Sequence, residues 1–178
     1  MFLDESADDV REWAAEITFP VLVDRDHLLA ELYAMSNVPT VVWIDADGSI
    51  ARPNSAEVGT DMFVDFTGVT PDAHMEQVRA WVRTGVVPDD AGYDVDDLSD
   101  DEVAARLAFR LAAHLRRDGD GTRAAHWFAT AGELAPMDFT VRRAAMPLQD
   151  VDPFGEAFME LFGAWQKAGS PYHGVPRN

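Results

Sequence analysis

A chain of 178 residues with 47% hydrophobic content is long enough to bury a core and too apolar to remain disordered. Its 32 acidic against 14 basic side chains leave a formal charge of −18, which argues against binding to nucleic-acid phosphate or anionic lipid and points to neutral or basic partners. Cysteine is absent, so disulfides and thiolate metal sites are excluded; no run approaches the roughly 20 apolar residues of a membrane span, and no basic segment followed by an apolar one opens the chain, so a soluble, cytoplasmic protein is expected.

In chain order, Ser6 is a helix cap with Asp9 as capping-box partner, and Val10, Trp13, Ala14 and Ile17 mark the expected buried face. Phe19 to Val23 and Val41 to Ile44 are short apolar runs rich in β-branched and aromatic residues, expected as central strands. Between them Asp26 is placed to cap a helix with Leu28, Leu29, Leu32 and Tyr33 facing the sheet, and strand–helix–strand with so short a connection predicts a parallel crossover. Asp45-Ala46-Asp47-Gly48 supplies a turn, and Ser49 to Arg52 returns antiparallel. Val58 to Val69, with Phe63, Val64 and Phe66, reads as a strand or an inserted loop. Thr70-Pro71 opens a helix with Met75, Val78, Trp81 and Val82 inward, ended by Gly85.

Residues 88–98 are read as an acidic linker, a solvated hinge in preference to a calcium loop because alternating ligands and a central glycine are missing. Beyond it Ser99 and Glu102 form a capping box, with Val103, Leu107, Leu111 and Leu115 on one expected inner face until Asp118-Gly119-Asp120-Gly121 breaks the helix. A second helix follows from Thr122, a third carries Phe139, Val141 and Met146 up to Pro147, and a fourth carries Phe154, Phe158, Leu161, Phe162 and Trp165. The tail from Gly169 to Asn178 reads as irregular.

Two resemblances follow from these residues. FPVLVDRDHLLAELYAMSNVPTVVWIDADGSIAR, residues 19–52, resembles the second half of a thioredoxin-like domain of the redoxin group, which includes the alkyl hydroperoxide reductase/thiol-specific antioxidant and thiol-disulfide oxidoreductase proteins. The resemblance implies a cis proline at Pro39, after Val38 in Asn37-Val38-Pro39-Thr40, and a binding groove at Val38, Pro39 and Thr40. The family reacts through cysteine, and this chain has none. Leu111, Ala112, Leu115, Ala124, Phe128, Ala131 and Pro136 occur at the offsets of one tetratricopeptide repeat, with Phe128 filling the gap between two helices.

The expected fold is therefore α/β followed by all-α. A partial thioredoxin-like sheet with flanking helices occupies residues 1–87, and a tetratricopeptide-like helical module and tail occupy residues 99–178. His114, His126 and His173 form no H-x-x-x-H or H-E-x-x-H pair, so no metal site is assigned, and neither a catalytic residue nor a cofactor is assigned. Arg142 and Arg143 are candidate anion-binding residues, with pairing to Asp138, Asp150 or Asp152 as the competing role. The expected function is binding or assembly by a redox-inactive protein, as a homodimer or with a protein partner that completes the sheet. The alternative is a redoxin component whose cysteine-bearing half comes from an upstream segment or partner chain.

Overall fold

The structure, a computed structural model, describes residues 1–36, 38–55, 61, 64–89 and 98–169. Asn37, Phe63, His173, most of the acidic linker and nearly all of the irregular tail named above lie outside the described residues. The described residues form two compact units, residues 1–32 with 98–169, and residues 33–89. Residues 1–32 thus pack with the C-terminal helices.

The α/β expectation is overturned, because the described residues are mostly helical and among them the sheet has only two strands, β1 Val41–Ile44 and β2 Ile50–Ser55. They pair antiparallel, Trp43 opposite Arg52 and Ile44 opposite Ile50. The turn forms as expected: Asp45 N–H donates to Ser49 O at 2.8 Å, Gly48 N–H donates to Asp45 O at 2.9 Å, and Gly48 takes φ 88°. Among the described residues no parallel crossover precedes it. Phe19 to Val23 is not a strand; it offers only a single parallel bridge between Phe2 and Val23, and Phe19 and Leu22 are exposed. An apolar run of this length becomes a strand only where neighbours bury both faces.

The first unit begins with α1 (Ala7–Ala14), whose capping box closes as read: Asp9 N–H donates to Ser6 Oγ and Ser6 N–H to Asp9 Oδ2. Val10 is buried on α1, but Trp13 stands 77% exposed. Helix α2 (Leu28–Leu32) is capped by Asp24 and not Asp26: Leu28 and Ala30 N–H both donate to the Asp24 carboxylate at 2.9 Å. Asp26 pairs instead with Arg117 at 2.7 Å. The buried residues of α2 are Ala30 and Glu31, not the expected leucines, because α2 meets helices and has no sheet to lie on.

The core of this unit lies between α5 (Asp100–Arg117) and α6 (Gly121–Leu134). The Ser99–Glu102 capping box forms, and Asp120 caps α6 through the Arg123 N–H. The packed face of α5 is not Val103, Leu107, Leu111 and Leu115; of these only Leu115 is buried. Ala105, Ala108, Phe109, Ala112 and Ala113 turn inward and meet Ala124, Phe128 and Ala131. Small side chains let the two axes approach, and Phe109 meets Phe128 edge to face at 5.7 Å, so Phe128 does fill the gap between the helices. Leu111 and Pro136, two of the seven residues read as repeat positions, are exposed.

A short α7 (Phe139–Arg142), capped by Asp138, and a 3₁₀ turn Pro147–Gln149 follow, then α8 (Glu156–Lys167), whose Phe158, Phe162 and Trp165 gather on Phe139. In the second unit, residues 64–67 form one helical turn, α3 (Val64–Thr67), where a strand or loop was expected. Helix α4 (Pro71–Thr84) has the expected Thr70 cap, first-turn Pro71 and left-handed Gly85. Its inner residues are His74, Val78 and Trp81, while Met75 and Val82 face solvent. Trp81 stacks on Trp43 at 5.1 Å, His74 meets the Trp43 ring edge-on at 6.1 Å, and the Arg52 guanidinium lies 5.2 Å from its centroid.

Candidate functional site

Val38, Pro39 and Thr40 lead directly into β1, and the Val38–Pro39 bond is cis, the isomer the resemblance implied. Val38 is exposed, and Pro39 and Thr40 are half-buried. The hairpin that follows has Trp43 covered by α4, but the directly opposed Ile44 and Ile50 remain 43% and 53% exposed. Each strand has one strand partner among the described residues. A two-stranded sheet is marginal by itself, and its open edges are the places where another strand adds. Asp47, in the turn, has its carboxyl held below the usual carboxylate range by the Ser49 hydroxyl and amide.

In the first unit one group of charged side chains is buried and paired internally. Glu31, 1% exposed, accepts from Arg110 Nε at 2.5 Å and Nη2 at 3.2 Å, and sits 3.5 Å from Arg106. Arg106 also donates to the Glu31 carbonyl at 2.7 Å and to Asp138 at 3.1 Å, while Asp138 caps α7 through the Thr140 N–H at 2.8 Å. Two guanidiniums and two carboxylates balance, and the hydrogen bond to Glu31 raises the Arg110 pKa further above its ordinary value. Nearby, the buried His27 places Nδ1 2.9 Å from Ala144 O; a carbonyl only accepts, so Nδ1 carries the proton. Sequence reasoning missed this cluster. The available signal was Arg106 at three and seven residues before Phe109 and Ala113, inside the buried arc of α5.

Arg142 and Arg143 do not converge on one ligand position. Arg142 lies over Gly132 of α6 and donates to Pro136 O at 3.2 Å. Arg143 packs its guanidinium against Phe158 at 4.2 Å and Phe154 at 4.9 Å, and burial there lowers its pKa from the ordinary arginine value. Neither makes an ion pair among the described residues, and the Asp138 expected as a partner is taken by Arg106. His114 sits between Arg117 and Asp118, and His126 meets Trp127 edge to face. No helix among the described residues is long and apolar enough to cross a membrane. No family model, curated protein or solved structure matches the chain.

Proposed function

We propose that this chain acts by binding another protein, and that the β1–β2 hairpin is the surface it uses, a partner strand extending the two-stranded sheet. The observation that carries this reading is the exposed Ile44–Ile50 pair on a sheet that has two strands among the described residues. Backbone hydrogen bonds along the edge supply affinity, and the isoleucine pair supplies an apolar anchor. The charge of −18 makes a second copy a poor occupant and a neutral or basic partner a good one. Without cysteine, the chain brings no thiol of its own to the complex.

The test compares the wild-type chain with Ile44→Lys and Ile50→Lys, which leave the backbone and the Trp43–Trp81 stack in place. Cross-linking followed by mass spectrometry identifies the partner of the wild-type chain, and its affinity for each purified variant is then measured. A loss of about tenfold or more per variant is expected for an anchor at the centre of an interface. Light scattering of the purified chain separates this outcome from self-pairing. A partner whose affinity is unchanged by both substitutions removes the hairpin from the interface and ends the reading.

A further inference from the structure

Between α6 and the segment from α7 to the 3₁₀ turn lies a cavity of about 310 Å³, wholly within the first unit. The buried Phe128, Val141 and Ala145 lie beneath it, and the exposed Ala129 borders it. Three polar side chains border it: Arg142, Glu133 and Gln149. Its volume is at the small end of the range of about 300–1,000 Å³ for ligand sites, and polar groups make up most of its accessible lining.

The charges are held in an unusual state for this chain. With 32 acidic side chains against 14 basic ones, an arginine has no shortage of carboxylates, yet Arg142 makes no ion pair among the described residues. Glu133 borders the same cavity and makes no ion pair or hydrogen bond among them either. The two opposite charges therefore share a cavity without meeting. Arg142 is fixed by its Nη1 bond to Pro136 O, which leaves other guanidinium N–H groups to donate. Gly132 makes that placement possible: a Cβ there would lie 3.0 Å from Arg142 Cδ and 3.3 Å from Nε. Gln149 spends its amide N–H on Ala145 O at 3.2 Å, which leaves its carbonyl oxygen as an acceptor.

We propose that this cavity binds a small zwitterion of the α-amino-acid class with an apolar side chain. Its carboxylate accepts from Arg142, its ammonium donates to Glu133 and the Gln149 carbonyl oxygen, and its side chain lies over Ala129 and the edge of Phe128. Arg142 thus acts alone, through the cavity, without Arg143. The proposal is independent of the hairpin, because it concerns a different unit and a different class of ligand.

Titration of the isotopically labelled full chain by NMR tests it, with L-leucine, L-methionine and L-phenylalanine as probes, each taken to about 10 mM. At least one is expected to move the Gly132 and Gln149 signals with a Kd of about 1 mM or tighter. Leucine is compared with 4-methylpentanoate, which lacks the ammonium, and 3-methylbutylamine, which lacks the carboxylate; each is expected to bind about tenfold more weakly or worse. Arg142→Gln should remove leucine binding, and Glu133→Gln should weaken leucine while leaving 4-methylpentanoate unchanged, with the remaining signals of both variants in place. Failure of all three amino acids, equal binding of either truncated analogue, or unaltered leucine binding by Arg142→Gln overturns the proposal.

Discussion

Replacing Arg106 by methionine removes the side chain that touches both Glu31 and Asp138. Glu31 keeps Arg110, but its backbone carbonyl loses the 2.7 Å bond, and Asp138, 0% exposed, keeps only its capping contact with Thr140. Breaking a buried pair by deleting one partner costs about 3–5 kcal/mol, mostly from the charge left behind. With a urea dependence of about 2 kcal/mol per molar, the unfolding midpoint falls by about 1.5–2.5 M. Arg110→Ala, in contrast, removes a guanidinium whose side chain is 41% exposed, so a loss of about 1 kcal/mol or less is expected. Far-UV circular dichroism follows the transition, because most helical residues belong to this unit. Glu31→Met combined with Arg106→Met should cost less than the sum of the single changes by about 1 kcal/mol or more, since the double variant leaves no buried charge at position 31. A midpoint shift under about 0.5 M for Arg106→Met, or strict additivity in the cycle, would refute this account of the cluster.

Other outcomes follow from single contacts. Phe128→Ala empties the space against Phe109 and should cost about 3–5 kcal/mol, read as a lower urea midpoint; a loss below about 1 kcal/mol would mean that the α5–α6 seam closes without it. Gly85→Ala forces a side chain into φ 70° and should cost about 1 kcal/mol, visible in thermal melting of the hairpin unit by Trp fluorescence. The Asp120 carboxyl is held low first by the Arg123 side chain and then by its amide, so its folded pKa lies below the unfolded one. Its contribution is therefore complete above the unfolded value of about 3.9 and is lost as pH falls through the folded value. The stability gap between wild type and Asp120→Ala should narrow on acidification; a gap constant from neutral pH down to full protonation would contradict the capping role.

Local chemistry was readable in the sequence, and long-range pairing was not. The Ser6–Asp9 and Ser99–Glu102 boxes, the Thr70-Pro71 opening, the left-handed Gly85 and the Asp45–Gly48 turn each involve residues within four positions of one another, where steric and hydrogen-bonding rules act directly. The face of α5 failed for a definite reason. Weighting Val and Leu above Ala placed the inner arc on Val103, Leu107 and Leu111, about one residue or 100° away from the alanines that allow close approach to α6. Phe19 to Val23 failed because an apolar run is only a permission to form a strand, and no sheet arrives to use it. Arg142 and Arg143 read together as an anion site, but their separation depends on Gly132 and on Phe154 and Phe158, which adjacency in sequence does not reveal.

The misread face of α5 also explains how residues 1–32 find their place. Helix α2 buries only Ala30 and Glu31, too little apolar area to select one docking position among several on a helix pair. The charge pattern selects it instead: any slide along α5 separates Glu31 from Arg106 and Arg110 and strands a buried charge. We hypothesise that the cluster specifies position more than it adds stability, and the Glu31→Met, Arg106→Met double variant separates the two roles. If it does, that variant loses less than the sum of the two single changes, yet the amides of residues 28–32 exchange about tenfold faster or more while those of residues 105–113 stay protected. Equal protection of both segments would assign the cluster to stability alone, and docking of α2 would then have to rest on Ala30 and the His27–Ala144 hydrogen bond.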